Sequence, residues 1–164
     1  MRKARIIKRK VYYHVSAMAN RKEFIFNNVE IKKLYQDILK EARKKFNFTL
    51  KNYCIMDNHI HLLIKPWVGE SLSIIMKWIQ QVFAGRFNKL NGYVGRVWRE
   101  RFYSSILETK KRIAKVFLYI VDNPIRAKLI DKPDEYKYGG LYWIKKRIYD
   151  LVDPPGFLES IVKF

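Results

Sequence analysis

A chain of 164 residues with 49% hydrophobic and 15% aromatic content has the length and apolar composition of one globular domain, which excludes a disordered basic tail. Its single cysteine excludes an internal disulfide framework. Thirty-four Lys and Arg against fifteen Asp and Glu leave a charge of +19, a balance that favours a polyanionic partner, nucleic acid ahead of an anionic membrane or a merely solvated basic face.

The basic N-terminus, residues 1–10, runs into Val11–Met18, which Tyr12, Tyr13 and His14 make too polar for a signal peptide. No segment has the unbroken apolar length of a membrane span, so a cytoplasmic protein is the expectation. The same Val11–Met18 run, rich in β-branched and aromatic residues, predicts a first strand carrying His14. Asn27-Asn28 then precede Ile31, Leu34, Ile38, Ala42 and Phe46, spaced three and four apart, which predicts a capped helix with its lysines and arginines on other faces.

Two apolar runs, Leu50–Met56 and Ile60–Ile64, flank the turn signal Asp57-Asn58 and predict a hairpin, its second strand ended by Pro66. Cys54 falls inside the first run and reads as a small core residue. His59 and His61 sit at the start of the second strand, on one face about 7 Å apart, with Ile60 pointing into a core. Two imidazoles so placed suit one metal ion, and taken alone they also suit two ordinary histidines with backbone or carboxylate partners.

Ser71 is the predicted cap of a longer helix with the stripe Leu72, Ile75, Ile79, Val82, Phe83, Phe87 and Leu90, closed by Asn91-Gly92. Val97–Leu107 interleaves Arg99 and Arg101 with Trp98, Phe102 and Tyr103; as an extended ribbon it suits either phosphate gripping with base stacking or packing beneath a helix. Thr109 caps a third helix with the core stripe Ile113, Val116, Phe117 and Ile120. Tyr119 lies on its flank with Arg112, Lys115 and Asn123, and Pro124 predicts that the helix ends or bends there. From Ile130 onward the sequence becomes loop-rich, aromatic and basic, and includes Lys145, Lys146 and Arg147. Residues 1–130 therefore read as one catalytic-size domain, and 131–164 as a short C-terminal extension packed on it.

The order strand, helix, strand, strand, helix, strand, helix predicts an α+β fold: a ferredoxin-like antiparallel sheet with helices packed on one face. A late helix lying against the central strands brings Tyr119 and Asn123 over His59 and His61.

Met56-Asp-Asn-His59-Ile-His61-Leu-Leu resembles the His-hydrophobe-His motif of the HUH single-tyrosine, IS200-like transposases, and Leu118-Tyr119-Ile-Val-Asp-Asn123-Pro-Ile-Arg-Ala-Lys-Leu resembles their tyrosine helix. Tyr13-His14-Val15, Gly95-Arg-Val-Trp98-Arg-Glu-Arg101-Phe-Tyr and Pro133-Asp-Glu-Tyr136-Lys-Tyr-Gly-Gly-Leu-Tyr are similar to the REP-associated branch. The chain departs from that pattern at Lys128, where many relatives carry Gly, and at Gly139-Gly140, where serines are frequent.

The resemblance implies a metal-dependent endonuclease and transposase acting on single-stranded DNA that carries a hairpin, with Tyr119 as nucleophile and a 5′-phosphotyrosine intermediate. His59, His61 and Asn123 are the implied ligands of Mg²⁺ or Mn²⁺, although two imidazoles alone would equally suit Zn²⁺. Arg112, Lys115, Trp98, Arg99, Arg101, Lys145, Lys146 and Arg147 are the candidate DNA contacts, and the implied state is a monomer or a homodimer. Two other classes fit the charge and the fold: a domesticated structure-specific DNA-binding protein without cleavage, and an RNA-binding module. Neither gives a reason for a histidine pair together with a tyrosine helix.

Overall fold

The computed structural model describes Lys8 and residues 10–162; most of the basic N-terminal stretch and the last two residues lie outside these. Strands β1 (Tyr12–Met18), β2 (Phe48–Ile55), β3 (His59–Pro66) and β4 (Tyr103–Leu107) form one antiparallel sheet in the order β2-β3-β1-β4. Helix α1 (Val29–Lys45) joins β1 to β2 and helix α2 (Leu72–Asn91) joins β3 to β4, so the expected ferredoxin-like order is present.

Local chemistry explains the helix boundaries. The side-chain oxygens of Asn28, Ser71 and Thr109 accept from the backbone N–H of Glu30, Ile74 and Arg112, capping α1, α2 and the third helix, α3 (Lys110–Arg126). Gly92 closes α2 at φ 63°, a backbone state that glycine adopts without a Cβ penalty.

Strand alternation sorts the helices onto the two faces. Tyr53 points to one face, where its hydroxyl accepts from the Gln36 side chain of α1 at 2.8 Å. Its neighbour Asn52 points to the other, where its amide donates to the Phe117 carbonyl of α3 at 3.2 Å. The helices α1 and α2 pack on each other on the first face, and α3 crosses the second, over β2, β3 and β4. Ile60, Leu62 and Val15 are fully buried, as are Tyr35, Ile38, Leu39 and Phe83 of α1 and α2.

Three expectations change. The α1 stripe is wider than Ile31, Leu34, Ile38, Ala42 and Phe46, because the helix is wedged between the sheet and α2: Tyr35 and Leu39 are fully buried, while Leu34 and Phe46 are half-buried. Val97–Phe102 is a loop, not strand, joined to β1 by the Ala19–Trp98 bridge and the Arg99 N–H to the Met18 carbonyl. Of the end or bend expected at Pro124, the end is absent: α3 continues for two more residues, to Arg126.

The segment after Ile130 lies along the outer edge of β2. Ile55 donates to the Tyr138 carbonyl, Gly139 bridges Cys54, and Asp153 donates its N–H to the Leu50 carbonyl. The Asp153 carboxylate receives the Leu50 N–H and both Arg43 nitrogens. A strand edge that would otherwise offer open backbone groups is thereby paired. Helix α4 (Gly140–Lys145) belongs to this segment.

Candidate active site

The hairpin turn before β3 is held from several sides. Asp57 and Asn58 offer their carbonyls to the N–H groups of Phe26 and Ala19, both at 2.9 Å, and the Asp57 carboxylate pairs with Lys32 at 2.7 Å. The Lys32 side chain is 8% exposed, so this pair anchors the turn to α1. His59 and His61 therefore leave a fixed turn on a central strand, on the face that looks toward α3.

The register brings a third imidazole beside them. His61 opposes Ser16 and Leu63 opposes His14, so His14 and His61 are diagonal neighbours on one face. His14 Nε2 lies 3.0 Å from His61 Nδ1, with the rings stacked at 5.1 Å. Across the groove, the Tyr119 ring of α3 stands edge-on to both, 5.7 Å from His14 and 5.6 Å from His61. Tyr119 is 40% exposed, so the residue is open to solvent from the groove.

Along α3 the spacing of three and four residues continues on both sides of the tyrosine. Arg112 and Lys115 precede it on the same flank, and Asn123 and Arg126 follow. The Arg126 guanidinium sits 5.7 Å from the Tyr119 ring centre. Asn123 donates its side-chain N–H to the Tyr119 carbonyl at 2.7 Å. Only the amide nitrogen can donate, so Oδ1 is the atom left for a cation or solvent.

Burial dominates the electrostatics of the three histidines and favours their neutral, ligand-competent forms. It pushes His61 down to about 3, helped by the other two rings, and holds His14 below the ordinary histidine range. Burial also lowers His59, against a smaller opposing pull from Asp57. The tautomer of His59 follows from its partner: Nδ1 lies 2.6 Å from Asn58 Oδ1, which can only accept, so Nδ1 carries the proton and Nε2 keeps its lone pair. His61 Nε2 is buried and has no hydrogen-bond partner. Two free Nε2 atoms and one amide oxygen make a donor set that fits a divalent metal. Among the described residues no cluster of three His, Cys, Asp or Glu side chains has metal-binding geometry, so an amide has to complete any such set.

The candidate DNA contacts divide. Trp98 is corrected to a core residue: it is 7% exposed, packs against Phe26, Tyr35 and Phe83, and donates its indole N–H to the Gln80 carbonyl, so no ring face is free for a base. Tyr103, 65% exposed, has the free ring that Trp98 lacks. Arg99 and Arg101 are exposed. The Arg99 guanidinium is 3.9 Å from Met18 Sδ, and Met18 opposes His59, so this arginine borders the histidine face. Arg112 and Lys115 are exposed on α3. Lys145, Lys146 and Arg147 close α4 and follow it; all are exposed, with the Lys146 ammonium over the Tyr142 ring.

Sequence reasoning assigned no role to His14 or Arg126. His14 was visible on the first strand, but its diagonal to His61 depends on a β1–β3 register between strands about fifty residues apart. Arg126 continues the α3 flank one turn beyond Asn123, a signal hidden by expecting the helix to end or bend at Pro124.

Comparison with known proteins bears on this arrangement. A family model described as "Transposase IS200 like" matches residues 7–123, a span holding His14, His59, His61, Tyr119 and Asn123. A Haemophilus influenzae protein named "Putative REP-associated tyrosine transposase" is 22% identical, over 69% of this chain and 74% of its own length. The solved structure of a REP-associated tyrosine transposase bound to a REP hairpin superposes with a TM-score of 0.75 at 13% identity, covering 90% of this chain and 86% of that one. A second solved structure, of a Deinococcus radiodurans R1 protein described as a "putative transposase", superposes with a TM-score of 0.52 at 18% identity over 73% of this chain and 95% of its own. No described helix is long and apolar enough to cross a membrane. The elements that carry the histidines and the tyrosine onto one face all begin inside the matched span, and the chain belongs to the IS200-like transposase family.

Proposed function

We propose that the protein cleaves and rejoins single-stranded DNA beside a hairpin, with Tyr119 as nucleophile. The observation that carries this reading is the tyrosine ring standing 5.6 Å from His61 on the face where two imidazoles keep ligand-competent nitrogens. The hairpin is proposed because a solved relative of the same fold is bound to one. Exposed Tyr103, with Arg99 and Arg101, offers a ring and two cations that would suit an unpaired strand.

His59 Nε2, His61 Nε2 and Asn123 Oδ1 would hold Mg²⁺ or Mn²⁺, which when bound supplies Lewis-acid polarisation of the scissile phosphate and fixes its orientation. The remaining work belongs to the chain. A phenol is a weak nucleophile while protonated, so the site has to favour loss of its proton and offset charge on the phosphate. Arg126 beside the Tyr119 ring, with Arg112 and Lys115 on the same flank, offers positive charge to the DNA backbone. The Tyr119 oxygen bonds to phosphorus, the bond from phosphorus to the 3′-oxygen breaks, and a 5′-phosphotyrosine and a free 3′-hydroxyl result. Attack by a different 3′-hydroxyl on that link transfers the strand and releases the tyrosine, without nucleotide hydrolysis.

Purified protein incubated with labelled single-stranded hairpin DNA should give a covalent adduct on a denaturing gel with Mg²⁺ or Mn²⁺ and none with EDTA or with Tyr119→Phe. Hairpins from the protein's own genomic flanks that bind without ever forming an adduct would reduce the protein to a structure-specific binder.

A further inference from the structure

His59 owes its ligand-competent tautomer to Asn58, and the same question can be put to His61. Its Nδ1 has one partner, His14 Nε2, at 3.0 Å. Two neutral imidazoles can share that contact in two ways. If His14 donates, His61 holds its proton on Nε2, a buried N–H left without a partner. If His61 donates from Nδ1, the buried Nε2 keeps a lone pair, and His14 carries its own proton on Nδ1, which is not among the buried unpartnered atoms. The second arrangement satisfies the donors and readies His61 as a ligand.

We infer that His14 is a positioning residue: by accepting the His61 Nδ1–H on its Nε2, it fixes the tautomer and ring orientation in which His61 Nε2 can bind a metal. This inference rests on the proposed metal-binding reading of His59, His61 and Asn123 and deepens it. Asn58 and His14 then act in parallel, each an uncharged acceptor behind one ligating imidazole. In many metal sites a carboxylate or backbone carbonyl fills that place, and loss of such a partner weakens metal affinity roughly 10- to 100-fold. A neutral acceptor keeps the buried site free of an extra negative charge where a phosphate has to enter.

The test uses the full chain labelled with ¹⁵N-histidine. Long-range ¹H–¹⁵N correlation spectra of the metal-free protein report which nitrogen of His61 is protonated, and titration with MnCl₂ alone gives the metal affinity. In the wild type, His61 should be protonated on Nδ1. His14→Ala should move that proton to Nε2 and weaken Mn²⁺ binding about 10-fold or more. His14→Gln, whose amide oxygen reaches the place of the lost Nε2, should keep the Nδ1–H form and recover most of the affinity. Thermal melts show which variants are folded, and His14→Gln carries the test if His14→Ala is not. A wild type with His61 protonated on Nε2, or a folded His14→Ala with wild-type tautomer and affinity, overturns the role of His14 and leaves the metal reading standing. A wild type that binds no Mn²⁺, or whose binding survives both His59→Ala and His61→Ala, overturns the metal reading itself.

Discussion

His61 concentrates the chemistry of the site, and its burial makes a prediction that needs no substrate. In an unfolded chain a histidine titrates near 6.5, whereas in the fold burial pushes His61 down to about 3 and lowers His14 and His59 as well. Between those values the unfolded chain binds protons that the folded one refuses. Stability is therefore full above about pH 6.5 and falls on acidification, by up to about 1.4 kcal/mol per pH unit for His61, with contributions of the same sign from His14 and His59. Thermal melts of the metal-free protein between pH 7.5 and 5 should show this decline, before carboxylates begin to titrate. His61→Gln should flatten it, and a melting temperature constant over that window would contradict the burial of the three rings. The pair His59 and His61 was readable from sequence because alternation on one strand is a local rule. Their partners were not equally readable: Asn58 is adjacent in the chain, whereas His14 reaches His61 only through pairing between distant strands.

The seating of α3 decides where the tyrosine lies, and two backbone features control it. Asn52, 1% exposed, accepts the Tyr53 N–H and donates to the Phe117 carbonyl, tying β2 to the helix two residues before Tyr119. Gly140 leaves room for that amide: a Cβ there would lie 2.5 Å from Asn52 Oδ1 and 3.1 Å from Asn52 Cα, whereas one at Gly139 would come no closer than 3.4 Å to its neighbours. Gly140→Ala should therefore cost roughly 1–3 kcal/mol by overpacking, and Gly139→Ala clearly less. Denaturant melts of the two variants compare them directly, and equal losses would refute the account. At the other end, Lys128 stands at φ 56° just past α3, a left-handed position that glycine fills without strain. Relief of a left-handed penalty of roughly 1–2 kcal/mol, less glycine's entropic cost of roughly 0.5–1 kcal/mol, should make Lys128→Gly stabilising by about 0.5–1 kcal/mol, and a loss of stability would mean that the lysine side chain makes a compensating contact. Caps at Asn28, Ser71 and Thr109 were legible because each acts within three residues. Pro124 misled for a related reason: it removes one donor from the helix, a local loss outweighed where Ile120 and Pro124 are buried and α3 contacts the extension.

At the scale of the molecule, the +19 charge was plain from composition, but the cations open to a substrate depend on the fold. Lys32 and Arg43 are held in partly buried ion pairs, and Arg86 is bidentate to Glu41 on the α1–α2 side, away from α3. No ion pair among the described residues engages Arg99 or Arg126, which border the histidine face from the loop after α2 and from the end of α3. The extension occupies the β2 edge, so the open approach to the site is the α3 face with these two arginines. Binding of single-stranded hairpin DNA should weaken linearly on a plot of log affinity against log salt, each phosphate neutralised on a single strand contributing a slope of about −0.7. Arg99→Ala and Arg126→Ala should each reduce the magnitude of that slope by about 0.7, so the loss in affinity is largest at low salt and shrinks about 2.6-fold on going from 50 to 200 mM. Arg86→Ala should leave the slope unchanged, because its charge is matched by Glu41 and lies behind the sheet. Titrations of the three variants at four salt concentrations separate a phosphate path at the site from the general attraction of a basic surface. If all three slopes fall alike, the attraction is diffuse, and the arginines bordering the histidine face have no special claim on the phosphate.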